Sequence, residues 1–143
     1  GYSAASGITQ NNAAYGVLSL SPSNSGGMYG SADQEMRLRC GSSGRCAVNC
    51  GTAISYLGAT SGAEMIIGNR VASGTQTLWV NGVLHTTNGS VSSGVPDNVT
   101  LLKDGSGATA GRVGGSFIST NLTAGEILNT HNAFFRLKTA LGV

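Results

Sequence analysis

A chain of 143 residues has the length of one domain and is short for two. Its net charge of +2 and 40% hydrophobic content exclude a charge-rich disordered chain, and its charged share of 10% is far below the roughly 25% of an ordinary soluble domain. The 23 glycines follow no three-residue period, the apolar runs are far shorter than the about 20 residues of a membrane span, and Lys is too scarce for a coiled coil. What remains is a compact domain rich in Gly, Ser, Thr, Asn and Val, suited to many short strands and tight turns.

Ala13 to Leu20 reads as a strand, ended by the loop signal Ser21-Pro22-Ser23-Asn24-Ser25-Gly26-Gly27. Tyr29 then falls in a Gly-rich loop. Glu35 to Cys40 alternates, with Met36, Leu38 and Cys40 on one face and Arg37 and Arg39 on the other, as in a strand with one wet face. Cys46 to Cys50 and Thr52 to Leu57 read as a short pair. Glu64 to Val71 is a further strand, with Gly68 the candidate for a bulge. The strongest local signal is Gln76 to Thr87: Asn81-Gly82 between two β-prone runs predicts a two-residue type I′ hairpin, because both turn positions need positive φ. Asn98 to Lys103 reads as a strand ended by Asp104-Gly105-Ser106-Gly107, and Arg112 to Ser119 as the last one. Thr123-Ala124-Gly125-Glu126 is a capping box that opens a helix running to about Ala140, with Gly142 as its stop. Ile127, Phe134, Leu137 and Leu141 fall on one face of that helix, with Leu128 and Phe135 beside it, so it is expected to pack against the body. The chain thus divides into a β body over about 1–120 and a helix over about 123–141. Around eight or nine strands at roughly ten-residue spacing with no helix between them indicate an antiparallel sandwich or barrel.

The chemistry-bearing residues are few. Arg37, Arg39 and Arg45 form the one local basic cluster, while Arg112, Arg136 and Lys138 are scattered; solvated arginines explain them better than a phosphate site, so no nucleic-acid partner is expected. So little charge gives weak protection against self-association, which points to a domain living inside an assembly. Cys40, Cys46 and Cys50 match no common zinc spacing with His85 and His131. Three reduced, mostly buried thiols are the expected state, although the Cys40–Cys46 segment could place two sulfurs across a hairpin. The start shows neither a basic n-region nor an apolar h-region, and the chain does not begin with Met, so it is expected to be a fragment or a processed product. Sequons at Asn88, Asn98 and Asn121 are what chance gives in so Asn-, Ser- and Thr-rich a chain.

Glycosidic cleavage needs two placed carboxylates. Of six acidic residues, Glu126 belongs to the helix cap and Asp97 and Asp104 to turns, which leaves Asp33, Glu35 and Glu64. No Gly-x-Ser-x-Gly elbow joins a strand to a helix, and no phosphate-binding loop is present, so no catalytic residue is assigned. No cofactor and no metal are expected. Calcium at Asp104 and its Gly/Ser loop would need more carboxylates than the segment carries. For a sugar ligand the candidates are Tyr29, Trp79 and His85. Strand alternation places Trp79 opposite Leu78 and Val80, so either Trp79 is core and its neighbours are not, or Trp79 is on the wet face.

The order of these motifs carries a resemblance. The hairpin Leu78-Trp79-Val80-Asn81-Gly82-Val83-Leu84 resembles the strand-turn-strand of laminin-G-like, concanavalin A-like jelly rolls. The strand Asn98–Lys103, the run Gly111 to Ser119 and the opening Leu122-Thr123-Ala124-Gly125-Glu126-Ile127 follow as in that family. The ending Phe134 to Val143 looks like the terminal helix of tail, tail-fibre and other virion proteins of bacteriophages and prophages, and the start, Gly1 to Asn12, like the middle of such proteins. Jelly rolls of this group usually carry further strands upstream; a missing strand would leave a sheet edge open for association. The resemblance implies an all-β antiparallel sandwich with a C-terminal helix. It also implies a non-catalytic virion component, the terminal domain of a tail fibre or similar projection, binding host-surface glycan or a neighbouring virion subunit. Homo-oligomerisation, trimeric in a fibre, assembly in the bacterial host cytoplasm and no membrane insertion come with it. The competing readings are a polysaccharide depolymerase using Asp33, Glu35 or Glu64, and a capsid or tail decoration protein without a ligand.

Overall fold

The computed structural model describes residues 8, 12–21, 27–30, 36–41, 45–50, 53–56, 64–72, 75–88, 100, 101, 103, 104, 107, 108 and 112–142. Its elements are β1 (Ala13–Ser21), β2 (Gly27–Gly30), β3 (Met36–Gly41), β4 (Arg45–Cys50), β5 (Ala53–Tyr56), β6 (Glu64–Ala72), β7 (Thr75–Val80), β8 (Val83–Asn88), β9 (Thr100–Leu101), β10 (Lys103–Asp104), β11 (Gly107–Ala108), β12 (Arg112–Ser119) and α1 (Ala124–Leu141). The chain is mostly antiparallel β-sheet with one C-terminal helix. One sheet has the order β12-β1-β6-β7-β8, a second β5-β4-β3-β2-β9, and β10 and β11 form a separate hairpin. Strands of the second sheet touch those of the first in matching order: β2 meets β1, β3 meets β6, β4 meets β7 and β5 meets β8.

Among the described side chains, the buried core lies in the first sheet and α1. Ala13 to Leu18 and Met65 to Arg70 are each six successive buried residues, as expected of central strands covered on both faces. On the α1 side, Leu18, Met65, Ile67 and Ile127 form a buried cluster, joined by the half-buried Leu20, Trp79, Phe117, Leu122, Phe134 and Phe135. On the opposite side Tyr15, Val17, Ile66, Leu78 and Val80 are buried. Trp79 is therefore not a choice between core and wet face: Leu78 and Val80 are buried on one face of β7 and Trp79 is half-buried on the other.

Gly68 is not a bulge. It stands in register between Tyr15 and Leu78, and a Cβ there would lie 2.6 Å from the Tyr15 ring. The register shift of β6 comes later, between Arg70 and Ala72. The predicted strand Asn98–Lys103 is also corrected, since its described part divides into β9 and β10, with Asp104 paired to Gly107 rather than ending a long strand. Tyr29 lies on β2, not in a loop, with Leu38 and Leu101 as its register partners.

Helix α1 is built as its local sequence dictates. Thr123 is the N-cap; its hydroxyl accepts from the Glu126 N–H while the Glu126 carboxylate accepts from the Thr123 N–H, and Gly142 closes the other end in the left-handed region at φ 69°. Two asparagines steer the lead-in. The buried Asn69 amide donates to the Leu122 carbonyl at 2.8 Å and accepts from the Leu122 N–H at 2.9 Å. The Asn12 side chain accepts from the Asn121 N–H at 2.8 Å.

The apolar stripe on α1 is only partly used. Ile127 is buried and Phe134 and Phe135 are half-buried, but Leu128, Leu137 and Leu141 are exposed. Leu137 and Leu141 are 46% and 62% exposed, which corrects the expectation that they pack on the body.

Candidate functional site

The β7–β8 hairpin and α1 together make the best-defined surface of the described residues. The hairpin is the predicted type I′ turn, with φ 53° at Asn81 and 77° at Gly82. Asn81 fastens it to β6: its N–H donates to the Met65 carbonyl at 2.8 Å and its side-chain Oδ1 accepts from the Met65 N–H at 3.0 Å. A Cβ on Gly82 would lie 3.0 Å from the Leu128 side chain and 3.3 Å from the His131 ring, so α1 rests directly on the turn. Gly115 on β12 plays the matching part, since a Cβ there would lie 2.7 Å from Phe134.

Further along α1, Asn132, Phe135, Arg136, Thr139 and Ala140 line a shallow, open depression. The Phe135 ring is its apolar floor. It packs 4.5 Å from the His131 ring, and the Lys138 ammonium sits 5.5 Å above it. Asn132 and Arg136 are exposed, and the Thr139 hydroxyl donates to the Phe135 carbonyl at 2.9 Å. One aromatic ring beside an amide, a guanidinium and a hydroxyl along the same depression offers an apolar contact plus polar groups, the chemistry suited to a polyhydroxylated ligand.

Two groups here have shifted pKa values. The Thr123 backbone N–H and then its hydroxyl, both bonded to the Glu126 carboxylate, hold that carboxylate below its ordinary range. Burial holds His131 below its ordinary value; the residue is half-buried, and its Nδ1 is enclosed with no hydrogen-bond partner.

The sequence candidates are not brought together here. Trp79 is half-buried within the α1-side cluster, and its indole N–H donates to the Thr77 hydroxyl at 2.9 Å. His85 is exposed on β8, at the register shift that pairs Trp79 with Leu84 and Leu78 with Thr86. Tyr29 belongs to the other sheet, and its side chain lies outside the described ones. Of the carboxylate candidates, Glu64 is half-buried at the start of β6, while Asp33 and Glu35 lie outside the described residues. Cys40 and Cys46 are register partners on β3 and β4, and Cys50 is opposite Met36. Among the described residues no cluster of three or more His, Cys, Asp or Glu could hold a metal ion, and no helix is long and apolar enough to cross a membrane.

The residues of the depression were missed because Phe135 reads as core from helical periodicity alone. Comparison with models of known protein families and with curated protein sequences finds no match for the chain.

Proposed function

We propose that the two sheets form a β-sandwich of the concanavalin A-like jelly-roll type, and that the domain acts by binding, without catalysis. The matching order of contacts between the sheets supports the sandwich, as does the antiparallel pairing of the first strand, β1, with the last, β12. In this reading the chain is the terminal domain of a phage tail fibre or a similar virion projection, in line with the resemblance of its hairpin and terminal helix.

The observation that carries the binding reading is the open depression on α1, with the Phe135 ring beside Asn132, Arg136 and Thr139. Its ligand is a host-surface glycan. A glycan array probed with the wild-type domain and with Asn132→Ala and Arg136→Ala tests this: the wild type should retain a defined set of glycans and both variants should lose them. Release of reducing sugar from the bound glycan would instead favour the depolymerase reading.

A second reading has its own support. Leu137 and Leu141 on α1 are 46% and 62% exposed, and Val83 and Leu84 on the edge strand β8 are 58% and 46% exposed. Apolar side chains on a helix end and a sheet edge suit a neighbouring virion subunit, including a second copy of the chain. Light scattering distinguishes the two, because a domain that stays monomeric at high concentration has no use for those residues in self-assembly.

A further inference from the structure

Asn81 and Gly82 form the sequence pair in which an asparagine amide is most readily lost, because glycine leaves its own backbone nitrogen sterically open to attack the neighbouring side chain. The β7–β8 turn opposes that reaction in two ways. First, positive φ at both residues defines a type I′ turn, in which ψ of the first residue is about +30°. That value turns the Gly82 nitrogen away from the Asn81 Cβ, towards the anti position about the Cα–C bond, whereas closing a five-membered imide needs the two eclipsed. Second, Asn81 is held at both ends, by its N–H on the Met65 carbonyl and by its Oδ1 on the Met65 N–H. Rotation into the reactive geometry breaks these contacts, and α1 blocks the way out by resting Leu128 and His131 on Gly82.

We infer that Asn81 is a conformationally gated deamidation site, closed while the hairpin is fastened to Met65 and open when the turn lifts. In the opened turn the Gly82 backbone nitrogen attacks Asn81 Cγ. A bond forms between them, the Cγ–Nδ2 bond breaks, and the amide proton leaves with Nδ2 as ammonia. Water then opens the imide at either carbonyl, giving aspartate or isoaspartate at position 81. Isoaspartate inserts an extra backbone carbon into a two-residue turn under α1, and aspartate sets a carboxylate in place of the amide bonded to the Met65 N–H, so each product changes how the hairpin is fastened.

The test is peptide mapping by mass spectrometry after incubation at mildly alkaline pH, on the folded chain and on the same chain in concentrated guanidinium. Asn88-Gly89 serves as the reference pair in the unfolded chain. Unfolded, Asn81 should convert about as fast as Asn88. Folded, Asn81 should convert at least about tenfold more slowly, since two hydrogen bonds must break first. Leu128→Ala, which thins the cover over Gly82 without touching the buried core, should speed conversion in the folded chain. Equal rates in the folded and unfolded chain would overturn the inference. So would a faster rate when folded, which would mean that the Met65 N–H activates the carbonyl more than the turn restrains it. An unchanged rate in Leu128→Ala would refute the part assigned to α1.

Discussion

Asn69 is the side chain whose loss should most clearly separate helix from sheet. It is 1% exposed in the middle of β6, and its amide both donates to and accepts from the backbone of Leu122, two residues before the first turn of α1. Asn69→Ala removes both bonds and leaves a backbone N–H and a carbonyl to find new partners. Each bond contributes about 1 kcal/mol net, and a buried group left unsatisfied costs about 1–3 kcal/mol. Leu122 is half-buried, so water recovers part of that cost, and a loss of about 2–4 kcal/mol is expected. For a domain of this size that lowers the melting temperature by about 10 °C. Denaturant titration gives the stability, and hydrogen exchange should show the amides of Leu122 and the first turn of α1 losing protection before those of β1 and β6. Asn69→Asp should be worse than Asn69→Ala at neutral pH, because it turns a donor facing the Leu122 carbonyl into an anion, and should partly recover in acid. A loss below about 0.5 kcal/mol with unchanged protection at Leu122 would refute the clamp, since even one neutral hydrogen bond exceeds that.

Three further outcomes are expected. Gly115→Val should push Phe134 off β12 and destabilise the domain by about 1–3 kcal/mol, the usual cost of overpacking, seen as a weakened near-ultraviolet aromatic signal. The lowered pKa of Glu126 means that its contribution to the helix is complete above the ordinary value of 4.5 and lost as pH falls through the lower folded value. The helical circular dichroism of the wild type should therefore fall on acidification more than that of Glu126→Gln, which lacks the titration. His131, held below 6.5 by burial, favours its neutral form in the fold, so its contribution is intact above 6.5 and lost as pH falls from there. His131→Leu should lose less stability than the wild type across that interval; parallel curves would contradict the assignment.

Local rules were legible in the sequence wherever a short motif fixes the backbone. The Asn81-Gly82 turn, the Thr123/Glu126 box and the Gly142 stop all follow from residues within a few positions of one another. Alternation likewise located β3. Layering was not legible. Trp79, Leu78 and Val80 share a strand buried on one face and half-buried on the other, and one strand's alternation cannot report what lies above and below it. Gly68 read as a bulge because a missing side chain marks either a bend or a close approach, and only the Tyr15 ring on the adjacent strand decides for the second. Asn69 looked like an ordinary residue of its strand and Asn12 gave no signal of a role, since their partners at Leu122 and Asn121 are distant in the chain. Helix periodicity assigned Leu137 and Leu141 to the interface, whereas both are exposed. The depression around Phe135 was missed because periodicity reads that residue simply as core, and the sugar-ligand candidates Tyr29, Trp79 and His85 were chosen as aromatic and polar residues without reference to the helix.

The central proposal is that α1 carries the ligand site. Titrating the isotopically labelled domain with an oligosaccharide from a host surface, and following backbone amide shifts by nuclear magnetic resonance, tests it directly. Saturable shifts should concentrate on Asn132, Phe135, Arg136, Thr139 and Ala140, with no cleavage of the sugar. Shifts centred on Tyr29 or His85, or a sugar that is consumed during the titration, would contradict it.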